Sequence, residues 1–174
     1  MTITRRGLLG AGLSTFIIGK AFAQTHSDDL RELTHDPDQP VLGNPDGDVT
    51  LIEFFDYQCP FCRKSYPEIR ALVQRDGNVR LVMKDWPIFG EASHRAVQLA
   101  LGAGDQYEAV HDAILGIEDR QLTPQLLHSA ATFAGVNPVD ALENFEHMRG
   151  RWEGLLTRNE RQAQCWACQA RQPS

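Results

Sequence analysis

Between residues 24 and 90 apolar residues fall into two short runs, and they then recur at helical spacing along most of the remaining chain. Val49 to Asp56 is apolar and aromatic, which predicts a strand. Pro60 sits where a helix can begin, and Phe61, Tyr66, Ile69 and Val73 follow at roughly helical spacing. Asp76-Gly77-Asn78 ends that helix, and Val79 to Met83 predicts a second strand closed by Trp86-Pro87. Beyond Glu91 the pattern is helical throughout, with helices expected at Glu91–Leu101, Gln106–Leu115, Thr123–Ala134, Pro138–Met148 and Arg151–Arg161. Thr123-Pro124 reads as an N-cap followed by proline at the first helical position, and glycines 102, 104, 135 and 150 fall in the breaks. Upstream, Gln24 to Asp48 is polar and turn-rich, with a short helix expected near Ser27–Leu33 and a short strand at Val41-Leu42. Strand–helix–strand followed by a helical block predicts one α/β domain with helices packed against a small sheet. There are no internal repeats and no low-complexity tracts.

The first residues follow another pattern. Arg5-Arg6 precedes an apolar run from Leu8 to Ile18, and Ala21-Phe22-Ala23 supplies a small-residue cleavage site. The run is too short to span a bilayer. A signal peptide over residues 1–23, cleaved after Ala23, is expected. The paired arginines, the glycine-rich run and Lys20 favour the twin-arginine route. An ordinary secretory signal that happens to contain Arg-Arg is the alternative.

With 174 residues, 42% of them hydrophobic, the chain is long enough for one real core. Its formal charge is −6, and the three basic residues of the signal take it to −9 once removed. That balance carries no electrostatic footprint for nucleic acid and no polybasic patch for anionic lipid. Stable membrane insertion is not expected of the mature chain. An exported protein also occupies a compartment in which disulfides persist.

Cys59-Pro60-Phe61-Cys62 has the spacing of a redox pair or of half a zinc site. The context separates them. A strand runs directly into the pair and a helix starts at Pro60, so Cys59 stands at a helix N-terminus, where the dipole and unpaired N–H groups favour a sulfur anion. Cys62 lies one turn inward. Cys59 is therefore the expected exposed nucleophile and Cys62 the buried resolving thiol, with a Cys59–Cys62 disulfide in the oxidised state. An inert structural disulfide is the bland alternative, but so small a loop contributes little entropy. The six histidines, at 26, 35, 94, 111, 128 and 147, form no ligand motif and are expected mostly on helix surfaces or in loops. No cofactor is called for.

Phe54-Phe55-Asp56-Tyr57-Gln58-Cys59-Pro60-Phe61-Cys62 resembles the active-site segment of the DsbA family of thioredoxin-fold oxidoreductases. Pro40 to Pro45 and the stretch from Trp86-Pro87-Ile88-Phe89 through Ser93, Ala96 and Ala100 resemble that family too, so the likeness covers roughly residues 39–162. The resemblance implies a thioredoxin-like fold with an inserted helical domain, about residues 91–150, and disulfide exchange with exported, thiol-containing proteins. It also implies a membrane thiol–disulfide relay as redox partner and a periplasmic location. Pro60-Phe61 replaces the Pro-His of the strongest oxidants and removes one source of thiolate stabilisation. Glu53, six positions before Cys59 in an apolar strand, matches a buried acid that moves the proton of the resolving cysteine. A strand-edge glutamate facing water is the alternative.

Cys165-Trp166-Ala167-Cys168 repeats the spacing. A four-cysteine zinc site with Cys59 and Cys62 would need an intervening stretch far beyond zinc-ribbon spacing. A shuttle pair on a tail and an accident of sequence remain. The resemblance implies two further antiparallel strands, a proline loop facing the cysteines and a final helix, none of which is legible after Arg151. One base out of frame, codons for Gln164 to Pro173 can encode Val-Leu-Gly-Leu-Pro-Gly-Thr-Pro-Ala, which resembles that loop. The expectation is a frameshift after about Ala163. The expected division is then residues 1–23 as signal, 24–48 as N-terminal extension, 49–163 as the thioredoxin-like domain and 164–174 as an atypical tail. Two rivals stand beside the oxidoreductase: a copper- or zinc-binding thiol protein, and an inactive truncated remnant.

Overall fold

The computed structural model describes residues 29–119 and 121–169, with the backbone alone for 166–169. The signal-peptide reading, on residues 1–23, lies outside them. Residues 29–35 form a helix, α1, in a unit separate from the one that begins at Pro37.

The sheet has three strands among the described residues: β1 (Val41–Gly43), β2 (Val49–Phe55) and β3 (Val79–Asp85), in the order β1-β3-β2. β1 runs antiparallel to β3 with Leu42 opposite Leu81. β2 runs parallel to β3, from Val49 opposite Val79 to Phe55 opposite Asp85. The sheet thus begins inside the stretch assigned to the N-terminal extension. A parallel pair requires a crossover, supplied by α2 (Pro60–Asp76). All seven residues of β3 are buried, as befits a central strand covered on both faces, and β3 reaches two residues beyond the expected Met83.

α2 starts where the sequence says it should. Cys59 is the N-cap, in extended conformation, with Pro60 at the first helical position. Gly77 ends the helix at φ 71°, donating its N–H to the Val73 carbonyl, a left-handed cap that favours glycine. Pro67 lies inside the helix and leaves the Arg63 carbonyl without its usual donor. The inward face differs from the expected one. Tyr66 and Val73 are buried and Ile69 packs beside them, but Phe61 is 81% exposed. Positions 62, 66, 69 and 73 keep the helical interval, so Cys62 takes the fourth inward place.

The helical block comprises α3 (Glu91–Gly102), a 3-10 turn (Gly104–Gln106), α4 (Tyr107–Leu115), α5 (Pro124–Phe133), α6 (Pro138–His147) and α7 (Arg149–Gln169). Thr123 caps α5 by accepting the Leu126 N–H at 3.3 Å, and Asn137 caps α6 by accepting that of Val139 at 3.0 Å. α3 and α6 meet backbone to backbone at Gly102, where a Cβ would stand 1.9 Å from the Ala141 carbonyl oxygen. Leu99, Val110, Ile114, Leu127 and Leu155 are fully buried and join Leu81 and Met83 of the sheet in one core. Each such side chain contributes about 1.5–3 kcal/mol relative to exposure.

α7 corrects the expected Arg151–Arg161 at both ends. It opens at Arg149 and continues as one helix through Gln169, so residues 164–169 extend it. Two of its arginines, Arg151 and Arg158, both hold Asp38, at 2.6 and 2.8 Å. Asn159, fully buried, donates to the Asp85 carbonyl at 3.2 Å and ties α7 to the end of β3. No helix among the described residues is long and apolar enough to cross a membrane.

Candidate active site

The parallel pairing of β2 with β3 delivers the chain to the site. After Phe55, whose carbonyl accepts the Trp86 N–H at 2.9 Å, a tight turn closes with the Cys59 N–H on the Asp56 carbonyl at 3.0 Å. α2 begins at once, the Arg63 N–H reaching the Cys59 carbonyl at 3.1 Å. Cys59 and Cys62 are both thiols here, each partly buried. The Cys62 N–H points at the Cys59 sulfur, 3.5 Å away. An orphan donor of the first helical turn is thus spent on the outer sulfur.

Cys62 is in a different environment. Burial pushes its thiol up to about 12, helped by the neighbouring Cys59 and Glu53 and opposed by a backbone hydrogen bond at Asp56. Glu53 is half-buried, and its Oε2 is buried with no hydrogen-bond partner. Desolvation pushes its carboxyl up to about 7. The glutamate thus sits on the edge strand β2, but with one carboxyl oxygen shielded from water. Glu53, Phe54, Phe61, Cys62, Lys64, Ser65 and Glu68 line a pocket of about 430 Å³. Pro60 is exposed, and Phe61 projects into solvent beside the pair.

The three residues before Cys59, quoted in the sequence motif but given no role there, anchor the turn. Asp56 accepts hydrogen bonds from Gln58 N, Ile88 N, Phe89 N and Ser93 Oγ. Gln58 Oε1 accepts the Leu122 N–H at 2.6 Å. The Tyr57 hydroxyl and His111 Nδ1 share a hydrogen bond at 2.8 Å. An aspartate two residues before an N–H it accepts is an Asx turn, the one local cue the sequence offered.

His111 corrects the surface reading of the histidines: it is 0% exposed. Phe55, Tyr57, Tyr66 and Tyr107 surround it, with ring centroids 4.8 to 5.4 Å away. Burial, and secondarily the positive charge of Arg70, pushes its imidazole down to about 3. Asp85, also fully buried, accepts a long hydrogen bond from the Tyr107 hydroxyl at 3.4 Å, and burial pushes its carboxyl up to about 8. A neutral histidine, two tyrosines and a protonated acid fit together there without an unpaired charge.

The second cysteine pair has another setting. Cys165 is exposed and, like Cys168, lies near the end of α7. Among the described residues no group of three or more His, Cys, Asp or Glu is gathered as a metal cluster. A groove of about 700 Å³ between α4 and α5, lined by Ala109, Ala113, Leu126, Ala130 and Phe133, contains neither Cys59 nor Cys62.

A strand that turns into a helix capped by the first cysteine of a Cys-x-x-Cys defines a thioredoxin-like site. A sequence model of the family described as Thioredoxin matches residues 35–170, and the chain belongs to that family. Its fold is of the DsbA type. A thioredoxin-like oxidoreductase from Silicibacter pomeroyi DSS-3 superposes with a TM-score of 0.72 at 39% identity, covering 77% of each chain. The thiol-disulfide exchange protein alpha-DsbA2 from Wolbachia pipientis gives 0.72 at 21% identity, over 87% of this chain and 82% of the other, which shows the shared fold. Disulfide bond formation protein D of Bacillus subtilis is 37% identical over 62 residues, which are 33% of this chain and 28% of that one. The Na(+)/H(+) antiporter NhaA 3 of Salinispora tropica is 30% identical over 101 residues, 55% of this chain. The chain spans only 15% of that antiporter's length.

Proposed function

We propose that the protein is an exported thiol–disulfide oxidoreductase that works through Cys59 and Cys62. The supporting observation is the asymmetry of the pair: Cys59 caps α2 and receives a helix N–H, while Cys62 lies one turn inward beside a desolvated acid. From the dithiol state, the Cys59 sulfur attacks a disulfide sulfur of the partner protein. The partner's S–S bond breaks, its electron pair leaves on the departing sulfur, and a mixed disulfide forms on Cys59. Cys62 then passes its proton to Glu53 and attacks the Cys59 sulfur. The mixed disulfide breaks, the partner leaves as a dithiol, and Cys59–Cys62 is left as a disulfide. The same steps in reverse oxidise a dithiol partner. Pro60 starts the helix, and Phe61 offers the partner an apolar contact beside the sulfur.

The partners are exported proteins that carry thiols or disulfides, and a membrane thiol–disulfide relay restores the pair. The proposed location is the periplasm, reached through the leader at residues 1–23 with its paired Arg5 and Arg6. Cys62→Ser is the direct test. The variant lacks the resolving thiol, so mixed disulfides on Cys59 accumulate and are visible as reducible adducts by mass spectrometry. Adducts on Cys165, or none at all, would remove the assignment.

A further inference from the structure

Asp56 carries more than the turn that delivers Cys59. Its carboxylate is almost wholly buried and accepts from three separate pieces of chain. Oδ1 takes the Gln58 N–H at 2.6 Å and the Ser93 hydroxyl at 2.7 Å. Oδ2 takes the Ile88 N–H at 2.6 Å and the Phe89 N–H at 3.0 Å. The first belongs to the active-site turn, the second to the first turn of α3, and the other two to the loop after β3. Charge-assisted bonds of this kind are roughly twice as strong as neutral ones. Four on one buried side chain leave it a single arrangement.

The loop so held carries two apolar side chains in solvent, Ile88 at 54% and Phe89 at 53% exposure, and Phe61 stands exposed in the motif. Large apolar groups left exposed on a loop bonded to the same carboxylate as the active-site turn offer a surface for unfolded polypeptide. We propose that Asp56 is a positioning residue for protein substrates, holding the Ile88–Phe89 loop in fixed relation to Cys59 so that a bound polypeptide presents its sulfur to the nucleophile. This rests on the oxidoreductase reading, and deepens it by separating polypeptide binding from sulfur chemistry. A small disulfide needs only the sulfur, whereas a polypeptide needs the loop as well.

The test is reduction of two substrates by the dithiol protein: insulin, and the small aromatic disulfide 5,5′-dithiobis(2-nitrobenzoate). Asp56→Asn keeps the shape but turns an acceptor into a donor, which faces an N–H whichever way the amide is placed. The expected result for Asp56→Asn is a rise in KM for insulin of about tenfold with a smaller loss on the small disulfide, because the same carboxylate also holds the Gln58 turn, whereas Ile88→Ser/Phe89→Ser leaves that turn intact and keeps kcat and the second-order rate for the small disulfide within about threefold of the wild type. Amide exchange at Ile88 and Phe89 accelerates about tenfold or more in Asp56→Asn. Ile88→Ser/Phe89→Ser gives the same KM shift and adds little on top of Asp56→Asn, as coupled sites do. Equal losses on both substrates, or no loss on either, would overturn the inference. Should Asp56→Asn fail to fold, Ser93→Ala removes one of the four bonds and decides the matter: KM for insulin rises about threefold if the inference holds and stays unchanged if it does not. A wild-type protein inert toward both substrates would defeat the oxidoreductase reading instead, leaving the exchange measurement to judge Asp56.

Discussion

Cys59–Cys62 and Cys165–Cys168 have identical spacing and opposite surroundings. The first pair opens a helix: Cys59 caps α2 and its sulfur faces an unpaired N–H. The second pair lies far from the start of α7, in the part of the helix that reaches Gln169 among the described residues. Only the first setting puts a cysteine at a helix N-terminus, where the first-turn N–H groups lack intrahelical partners. The first pair also has an acid beneath it, Glu53, and a turn anchored by three consecutive side chains. Spacing alone carries little chemistry, and the strand–turn–helix setting carries most of it.

The comparison breaks most visibly on the nucleophile. Cys59→Ser is expected to lower insulin reduction by a factor of a thousand or more, since the proposed reaction then lacks its attacking sulfur, on the order of what loss of a catalytic nucleophile costs. Cys165→Ser/Cys168→Ser is expected to leave the rate within about twofold. If the second double variant loses activity and Cys59→Ser keeps it, the helix-start criterion has chosen the wrong pair.

That criterion was legible in the sequence because its parts are local. A β-branched and aromatic run, a proline after a cysteine and a glycine seventeen positions beyond it set β2, the start of α2 and its end without outside help. The inward face of α2 was misread at one position. Phe61 is apolar and Cys62 ambiguous, yet the interval to Tyr66 suits 62 and not 61. The anchors of the turn were not legible as anchors, because their partners are far along the chain: Ser93 for Asp56, Leu122 for Gln58 and His111 for Tyr57. His111 looks like any helix-surface histidine until the four aromatic residues around it are seen to come from β2, the turn, α2 and α4. The start of α7 was missed because Gly150, a good helix breaker, sits within its first turn.

A smaller and more selective effect is expected beneath the first pair. Desolvation pushes the Glu53 carboxyl up to about 7, and in the proposed mechanism only the ionised form takes the proton of Cys62. The resolving step should therefore rise with pH through about 7 and level off above it. Glu53→Gln removes that inflection and slows resolution by about a hundredfold, the low end for loss of a general base. The first attack by Cys59 changes little, so mixed disulfides live longer in the variant, as rapid quench and mass spectrometry would show. An unchanged pH profile in Glu53→Gln removes the residue from the proton path and leaves it a structural role.

The smallest effect lies behind the turn and concerns stability. His111 is held neutral in the folded protein down to about 3, whereas in the unfolded chain it takes a proton near 6.5. The unfolded state then binds more protons, so the folded state loses stability as pH falls through that window, by up to about 1.4 kcal/mol per pH unit. Asp85 and Glu53 act with the opposite sign. Their raised values, about 8 and about 7, cost stability as pH rises above the ordinary carboxyl range. Between about 4.5 and 6.5 the two raised carboxyls together outweigh the one histidine, and the acid loss from His111 stands alone only below the ordinary carboxyl range. His111→Phe fills the same box without the titrating nitrogen. At pH 7 it gives up the Tyr57–His111 hydrogen bond, about 1 kcal/mol, and leaves the Tyr57 hydroxyl with Tyr107. On acidification to pH 4 it should lose less than the wild type, so the two denaturation midpoints converge. Because Tyr57 lies two residues before Cys59, the variant should also alter alkylation of that cysteine while leaving that of Cys165 unchanged. Parallel acid slopes would place the acid-sensitive group elsewhere. Equal changes at both cysteines would mean that the box supports the whole molecule and not the first pair in particular.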